Sequence, residues 1–367
     1  MDQLDATLAL ARAKGFHARQ LHDTDLLRDP RNLVGRPVAE LLTLGVHAAA
    51  ARWLSEPDLA MLAADRRWLE AEQLEWLVWG SPGYPGRLAA IADPPAVLFT
   101  RGPVANLLRP QLAVIGSRRP TAAGFRIAQD FAATLAAAGF VITSGLARGI
   151  DAAAHEGALQ RGQTIAVVGT GLDRIYPREN RELHQRILAA GGTVVSEFER
   201  GKPPLPENFP QRNRLISALS LGVLIIEAAS HSGTLITARL AGDQGREVYA
   251  VPGSILNPQA AGCHLLIRQG AKLVDSAGEI LADLGLVIDK QRLTGTLAAA
   301  DTPVAEPLQL DKAYEILLDG IGFDPVGVDE LIARTGLCCQ ALAQMLLTLE
   351  LSGTVALHSG GRYQRVR

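Results

Sequence analysis

Leu112-Ala-Val-Ile-Gly-Ser-Arg-Arg-Pro120 and Phe140-Val-Ile-Thr-Ser-Gly-Leu-Ala-Arg-Gly-Ile-Asp151 are the stretches that decide the fold class. Each is a short β-branched run that breaks into a loop containing Gly and Ser and then enters a helical pattern. A four-residue apolar run is too short for a helix of its own, and the Gly that ends it lets the chain turn. The same unit recurs outward, so strands are expected at 112–115, 140–143, 164–168, 193–196, 223–227, 247–251 and 272–274. This alternation predicts an α/β fold over 110–285: a Rossmann-like, doubly wound, mostly parallel sheet with helices on both faces. In such a sheet the loops gather along one edge, where helix N-termini present unpaired N–H groups and a partial positive charge.

Residues 1–80 carry Leu, Ala and Trp at helical spacing through 37–62 and 65–78 and predict a small helical domain. A Pro- and Gly-rich bridge, 81–109, joins it to the sheet. A second linker, 286–308, is rich in Ala, Thr, Pro, Asp and Glu and predicts a flexible tether. Beyond it, 309–367 holds helical patterns at 310–318, 328–335 and 341–351, then strands at 354–358 and 363–366 around Ser359-Gly-Gly361, the winged-helix pattern. At 367 residues and 48% hydrophobic content, the chain has apolar area for one large core and smaller modules.

Lys and Arg number 36 against 38 Asp and Glu, a net charge of -2. That balance excludes a polycation coating nucleic acid through bulk charge, so any nucleic-acid site has to be local. Cys263, Cys338 and Cys339 form no CxxC, and neither a disulfide framework nor a metal site is expected. Asp2 and Asp5 stand where a secretory signal would be basic, and apolar runs such as 222–226 are too short to span a bilayer. A soluble, cytoplasmic protein with no membrane partner is expected.

Glycine spacing argues against a nucleotide cofactor. No GxxxxGK[ST] occurs, Gly116 to Gly124 does not fit GxGxxG, and Gly169-Thr-Gly171 meets Arg174 where a third glycine belongs. The loops hold arginine instead: Arg118 and Arg119, Arg148, and Arg174. Guanidinium groups beside helix N-termini suit phosphate oxygens, which accept forked hydrogen bonds. Asn208-Phe-Pro-Gln-Arg-Asn-Arg-Leu-Ile-Ser217 adds Arg212, Asn213 and Arg214 at the mouth of a helix. Phe209 beside them either stacks on a base or packs as a hydrophobic staple on its own helix; the residues leave both open. Ser144, Ser232 and Thr234 are candidate phosphate donors, and Arg239 lies one turn further on. Asp151 reads as a helix N-cap and His155 as a packing residue. Glu197 and Glu227 end nearby strands but lack the histidine or metal set that acid–base chemistry needs.

Taken together, Ala113-Val-Ile-Gly-Ser-Arg-Arg-Pro120, Ser144-Gly-Leu-Ala-Arg-Gly-Ile-Asp151, Phe209-Pro-Gln-Arg-Asn-Arg-Leu-Ile-Ser217, Ser232-Gly-Thr-Leu-Ile-Thr-Ala238, Gly245-Arg-Glu-Val-Tyr-Ala-Val-Pro-Gly253 and Leu266-Ile-Arg-Gln-Gly-Ala271 resemble the DNA-processing protein A (DprA/Smf) family. The resemblance implies a sterile-alpha-motif-like N-terminal domain and a non-enzymatic protein. It implies single-stranded DNA held in a basic pocket, here Gly116, Ser117, Arg118, Arg148, Arg212, Asn213 and Arg214. It also implies protection of incoming DNA and loading of the recombinase RecA during natural transformation and recombination, with single-strand-binding protein a further partner. A homodimer is expected through Leu266, Ile267 and Gly270, where a Leu-Ile pair near the terminal sheet edge offers an apolar isologous patch. His264 stands where the family pattern has an Asn. The second helix-turn-helix element, Cys338-Cys-Gln-Ala-Leu-Ala-Gln-Met345, carries no cation, which favours protein contact or weak backbone contact for the winged helix, with Arg362, Arg365 and Arg367 on the wing.

The rival reading is a nucleotide N-glycosidase of the lysine-decarboxylase-like phosphoribohydrolase type, whose loop reads Gly-Gly-x-Gly-Thr-x-x-Glu. The comparable stretch here is Ser230-His-Ser-Gly-Thr-Leu-Ile-Thr237, and Thr237 stands where the acid belongs.

Overall fold

A computed structural model describes residues 1–21, 24–284, 312–358 and 360–366. Nine strands form one sheet: β1 (Glu75–Val78), β2 (Val97–Arg101), β3 (Gln111–Ile115), β4 (Val141–Ser144), β5 (Thr164–Val167), β6 (Thr193–Ser196), β7 (Gly222–Ile225), β8 (Glu247–Ala250) and β9 (Lys272–Leu273). They lie in the order β1-β2-β6-β5-β4-β3-β7-β8-β9. The seven strands from β3 to β9 are parallel, whereas β2 is antiparallel to β6 and β1 to β2. Every residue of β3 to β7 is buried, which is why these strands read as unbroken apolar runs rather than alternating ones.

The helices, in chain order, are α1 (Gln3–Arg12), α2 (Val38–Thr43), α3 (Ala48–Ser55), α4 (Leu59–Ala71), α5 (Gly86–Ala89), α6 (Ala122–Ala137), α7 (Ile150–Arg161), α8 (Arg181–Ala189), α9 (Asn208–Leu219), α10 (Thr234–Asp243), α11 (Ala261–Arg268) and α12 (Ala277–Asp283). On one face, α6, α7 and α12 enclose Leu112, Val114, Phe131, Ile142 and Leu224. On the other, α9, α10 and α11 enclose Ile115, Val167, Leu215, Ile225 and Cys263. Each fully buried Val, Leu or Ile contributes roughly 1.5–3 kcal/mol of transfer free energy. Strand order reverses between β3 and β7, so the helices that follow them, α6 and α10, pack on opposite faces and leave a crevice at the carboxyl edge of the sheet.

Two segments depart from expectation. Residues 75–78, expected to close a helix, and 97–101, expected within an extended bridge, are the edge strands β1 and β2. Helix α4 stops at Ala71, Gln73 takes a positive φ of 51°, and Trp76, Leu77 and Val78 then pair with Phe99, Leu98 and Val97. That partner lies beyond the reach of local periodicity. The N-terminal helices bury Leu10, Leu33, Leu41, Leu54 and Leu62 in a cluster that continues into Phe99, Ile187 and Val194 of the sheet layer, so no apolar boundary separates them from the core.

The C-terminal module has helices Lys312–Ile321, Val328–Thr335 and Cys339–Leu351, and three antiparallel strands, β10 (Val326–Gly327), β11 (Val355–His358) and β12 (Arg362–Arg365), ordered β10-β12-β11. Leu317, Ile321, Leu331, Leu342, Leu346 and Val355 form its separate core. The expected linker, 286–308, lies outside the described residues. Among the described residues no helix is long and apolar enough to cross a membrane.

Candidate nucleic-acid interface

The crevice is built by backbone bonds that lace three loops together. Ser117 N donates to Glu227 O at 2.7 Å, and Ile150 N donates to Ser117 O at 3.0 Å, joining the loops after β3, β7 and β4. Gly116 permits this approach: a Cβ there would lie 2.8 Å from Glu227 O and from Ile150 Cγ1. Glu227 accepts from Thr121 N at 2.9 Å and from Thr121 Oγ1 at 2.7 Å, while Thr121 Oγ1 accepts from Gly124 N at 3.0 Å and caps α6. The carboxylate of Glu227 thus anchors a helix N-terminus, a favourable place for negative charge.

The result is a groove of about 530 Å³ at the strand-order reversal. Gly116, Ser117, Arg118, Arg119, Arg212, Asn213, Ser232 and Thr234, all singled out in the sequence, line it together. Arg118 and Arg119 are exposed at its rim. Arg212 is only 4% exposed. Its Nη1 donates to the carbonyls of Gly145 at 2.5 Å and Val167, and its Nε to Asn213 Oδ1 at 3.1 Å. Burial lowers the Arg212 pKa to about 10, Asp151 opposing the shift and Arg118 adding to it. The side chain therefore remains cationic at neutral pH. Carbonyl and amide oxygens accept the Nε and Nη1 hydrogens. The Asp151 carboxyl beside the guanidinium offsets part of its charge, so Arg118 and Arg119 at the rim add what the floor alone lacks to attract an anion.

Asp151 is not the N-cap of α7. Gly149 occupies that position, with φ 77°, and Asp151 Oδ2 accepts from Gly145 N at 3.1 Å and Ala147 N at 3.3 Å, fixing the loop that carries the Arg212 acceptor. Burial pushes the Asp151 carboxyl up, against the pull of the Arg212 cation and the two amides. His155 packs in the core, its Nδ1 2.7 Å from Thr164 Oγ1, and burial lowers its pKa to about 3. Ser232 and Thr234 shape the wall: Ser232 Oγ donates to Thr234 Oγ1 at 2.9 Å, and Thr234 Oγ1 donates to Gly116 O at 3.2 Å.

Four residues of the expected DNA-binding set stand elsewhere. Arg214 pairs with Glu197 and, at 3.5 Å, with Asp93 in the cleft facing the N-terminal helices. Two residues along a helix is a rotation of roughly 200°, so Arg212 and Arg214 cannot face the same side of α9. That signal was present in the spacing. Arg148 is exposed and pairs with Glu179 across the loop that follows β5. Arg239 borders a separate hollow beside Leu266 and Gly270. Phe209 lies next to the groove, half-buried, with the Arg212 guanidinium 6.0 Å from its ring centroid.

In the expected dimer segment, Leu266 is buried on the core-facing side of α11, while Ile267 is half-buried and Gly270 is exposed. Glu197 and Glu227 do not converge, because β5, β4 and β3 separate their strands. Sequence reading passed over Gln259, which lines the groove from the turn at Pro258–Ala260, and Tyr176, whose ring lies 5.5 Å from Phe209.

The sequence model for "DNA recombination-mediator protein A" matches residues 75–285, and that for the "DprA winged helix domain" matches 300–361. Protein Smf of Escherichia coli K12 is 44% identical over 321 residues, which span 87% of this chain and 84% of that protein. DNA processing protein DprA of Bacillus subtilis 168 is 37% identical over 290 residues, 77% of this chain and 96% of that protein. The X-ray structure of DNA processing protein A from Streptococcus pneumoniae superposes with a TM-score of 0.60 at 35% identity, covering 77% of this chain and 98% of that one. DNA processing protein A from Helicobacter pylori, studied for its single-stranded DNA binding mode, gives 0.53 at 33% identity, covering 58% of this chain and 95% of that one. With the two family models matched in order along the chain and relatives of this identity and extent, the chain belongs to the DNA recombination-mediator protein A family, DprA/Smf.

Proposed function

We propose that the groove at the β3–β7 reversal binds single-stranded DNA through its phosphates, without catalysis. The observation that carries this reading is the cluster of three arginines in one recess: Arg212 at the floor, bonded to the oxygens of Gly145 and Asn213 and close to Asp151, with Arg118 and Arg119 exposed above it. A flexible single strand can lower a phosphate to that floor, whereas a stiff duplex keeps its phosphates on a convex surface. The study of the Helicobacter pylori relative as a single-strand binder supports the same ligand. Thr237 in place of the glycosidase acid, and the commitment of Asp151 and Glu227 to backbone amides and Thr121, support a binding protein over an enzyme.

Labelled oligo-dT titrated by anisotropy should bind far more tightly than duplex of equal length; equal affinities contradict the proposal. Release of free base from a nucleoside monophosphate would restore the glycosidase reading. The family resemblance extends the proposal to protection of incoming strands and RecA loading in the cytoplasm during transformation, with single-strand-binding protein as a further partner. That role requires RecA to nucleate faster on coated single strands when the protein is added. The same resemblance supports a homodimer, now resting on the half-buried Ile267 and the exposed Gly270. Ile267→Glu should shift light scattering from dimer to monomer; an unchanged dimer would remove this face, and a variant that misfolds would make Ile267 a core residue instead.

A further inference from the structure

The groove ends at Arg212, but the carboxyl edge of the sheet continues past it to the end of β5, where two rings lie side by side. Tyr176 is 45% exposed, and its ring centroid is 5.5 Å from that of Phe209 with the planes tilted by 40°. Neither ring is part of the four hydrophobic clusters formed by the described residues. Phe209 rests on Gly169, where a Cβ would stand 3.2 Å from its Cδ1, so the glycine that fits no nucleotide fingerprint leaves room for this ring.

The loop bearing Tyr176 is held in place. Thr170 Oγ1 donates to Arg174 O at 3.1 Å, Gly201 N donates to Asp173 Oδ1 at 2.9 Å, and Asn180 Nδ2 donates to the carbonyls of Leu146 and Ala147 at 2.9 and 3.1 Å. The last two bonds tie it to the loop that also carries Gly145, the acceptor for Arg212. Arg174 and Arg178, both exposed, flank Tyr176 in the same loop.

We infer that Tyr176, with Phe209 beside it, is a stacking shelf for the bases of the strand whose phosphate is held at Arg212. An exposed ring beside a phosphate-binding cation offers the two chemistries that a single strand presents together, a π-face and a charge, and stacking accepts any base. A groove of phosphate donors alone reads only charge; the shelf adds a requirement for bases. This inference rests on the proposal that the groove takes single-stranded DNA.

The test compares oligo-dT with an oligomer of the same length and phosphate count whose positions are abasic, using the full chain. Wild type should prefer oligo-dT by about 5- to 100-fold, the span of one stacked base. Tyr176→Ala should abolish most of that preference while leaving affinity for the abasic strand unchanged, and Tyr176→Phe should restore it. A 2-aminopurine placed in the strand should lose fluorescence on binding wild type and Tyr176→Phe but not Tyr176→Ala. Equal weakening of both strands by Tyr176→Ala would make the ring a structural support and overturn the inference, as would transfer of the Tyr176→Ala defect to a protein partner with DNA binding intact. Equal binding of both strands by wild type would overturn the shelf but leave the single-strand groove standing. Failure of wild type to bind either strand would overturn the groove itself.

Discussion

Arg212 is a structural member of the groove as well as the cation proposed to meet a phosphate. Its bonds to Gly145, Val167 and Asn213 hold it in place, so removing it disturbs the fold. Arg118 is the cleaner probe, since it is an exposed loop residue. Arg118→Ala should leave the thermal melt unchanged and weaken single-strand binding by roughly 1–3 kcal/mol, the scale of a charge-assisted hydrogen bond. Arg334, on the C-terminal module and paired with Glu330, is its control, and equal losses from the two alanine variants would mean that DNA is held outside the groove. His155 makes a second prediction. Burial, with the Arg212 charge adding, depresses its pKa from 6.5 to about 3, so the unfolded chain takes up the proton first as pH falls. Stability is fully present above pH 6.5 and is lost as pH drops towards about 3. Below pH 6 this histidine should contribute a slope of about 1.4 kcal/mol per pH unit, as should His184, which burial depresses to about 4. His155→Gln should reduce the slope of urea-unfolding free energy between pH 6 and pH 5 by that amount; an unchanged slope would mean that His155 is not held neutral.

At the scale of the element, α9 divides its labour by face. Arg212 turns to the groove, whereas Arg214 turns to Glu197 and Asp93, where burial raises the Glu197 carboxyl against the pull of Arg214. Arg214→Ala should leave oligo-dT affinity within about twofold, because the lost charge is already paired and lies on the far side of the helix. It should lower folding stability by on the order of 3 kcal/mol, since a buried carboxylate loses its partner. Anisotropy and urea unfolding on the same variant separate the two effects, and a large loss of affinity would place Arg214 in the DNA path after all. The motif was legible as a basic cluster before a strand. The division of its arginines needed the helix phase, and once 208–219 is taken as a helix the 3.6-residue period fixes it.

Across the whole molecule, a net charge of -2 coexists with a local cationic groove, so binding should be electrostatic in mechanism but limited in extent. The groove brings Arg118, Arg119 and Arg212 together, while Arg148 and Arg214 are spent in pairs. If each groove arginine neutralises one phosphate, log K should fall against log salt with a slope of about -2, or about -0.7 per contact. Arg118→Ala should flatten that slope by about 0.7. A salt-independent affinity, or a slope several times steeper, would contradict a three-arginine site.

Taken by itself, the sequence determined what is local in physical origin. Apolar runs of strand length, the glycines that end them and the helical periods between them are short-range properties, and they specified the parallel core from β3 to β9 and the C-terminal module. The family resemblance rests on the same loops. Tertiary structure decided whatever depends on a partner distant in the chain. The pairing of 75–78 with 97–100 turned an expected helix end and bridge into edge strands, because the stabilising hydrogen bonds come from residues that no local window contains. The burial of Leu266 followed from which side of α11 packs on the sheet, and the pairing of Arg148 and Arg214 from where their carboxylates fell in space. Tyr176 became a neighbour of Phe209 only when the loop after β5 met the start of α9, since two side chains separated by a helix and a strand are brought together by the fold and not by their spacing.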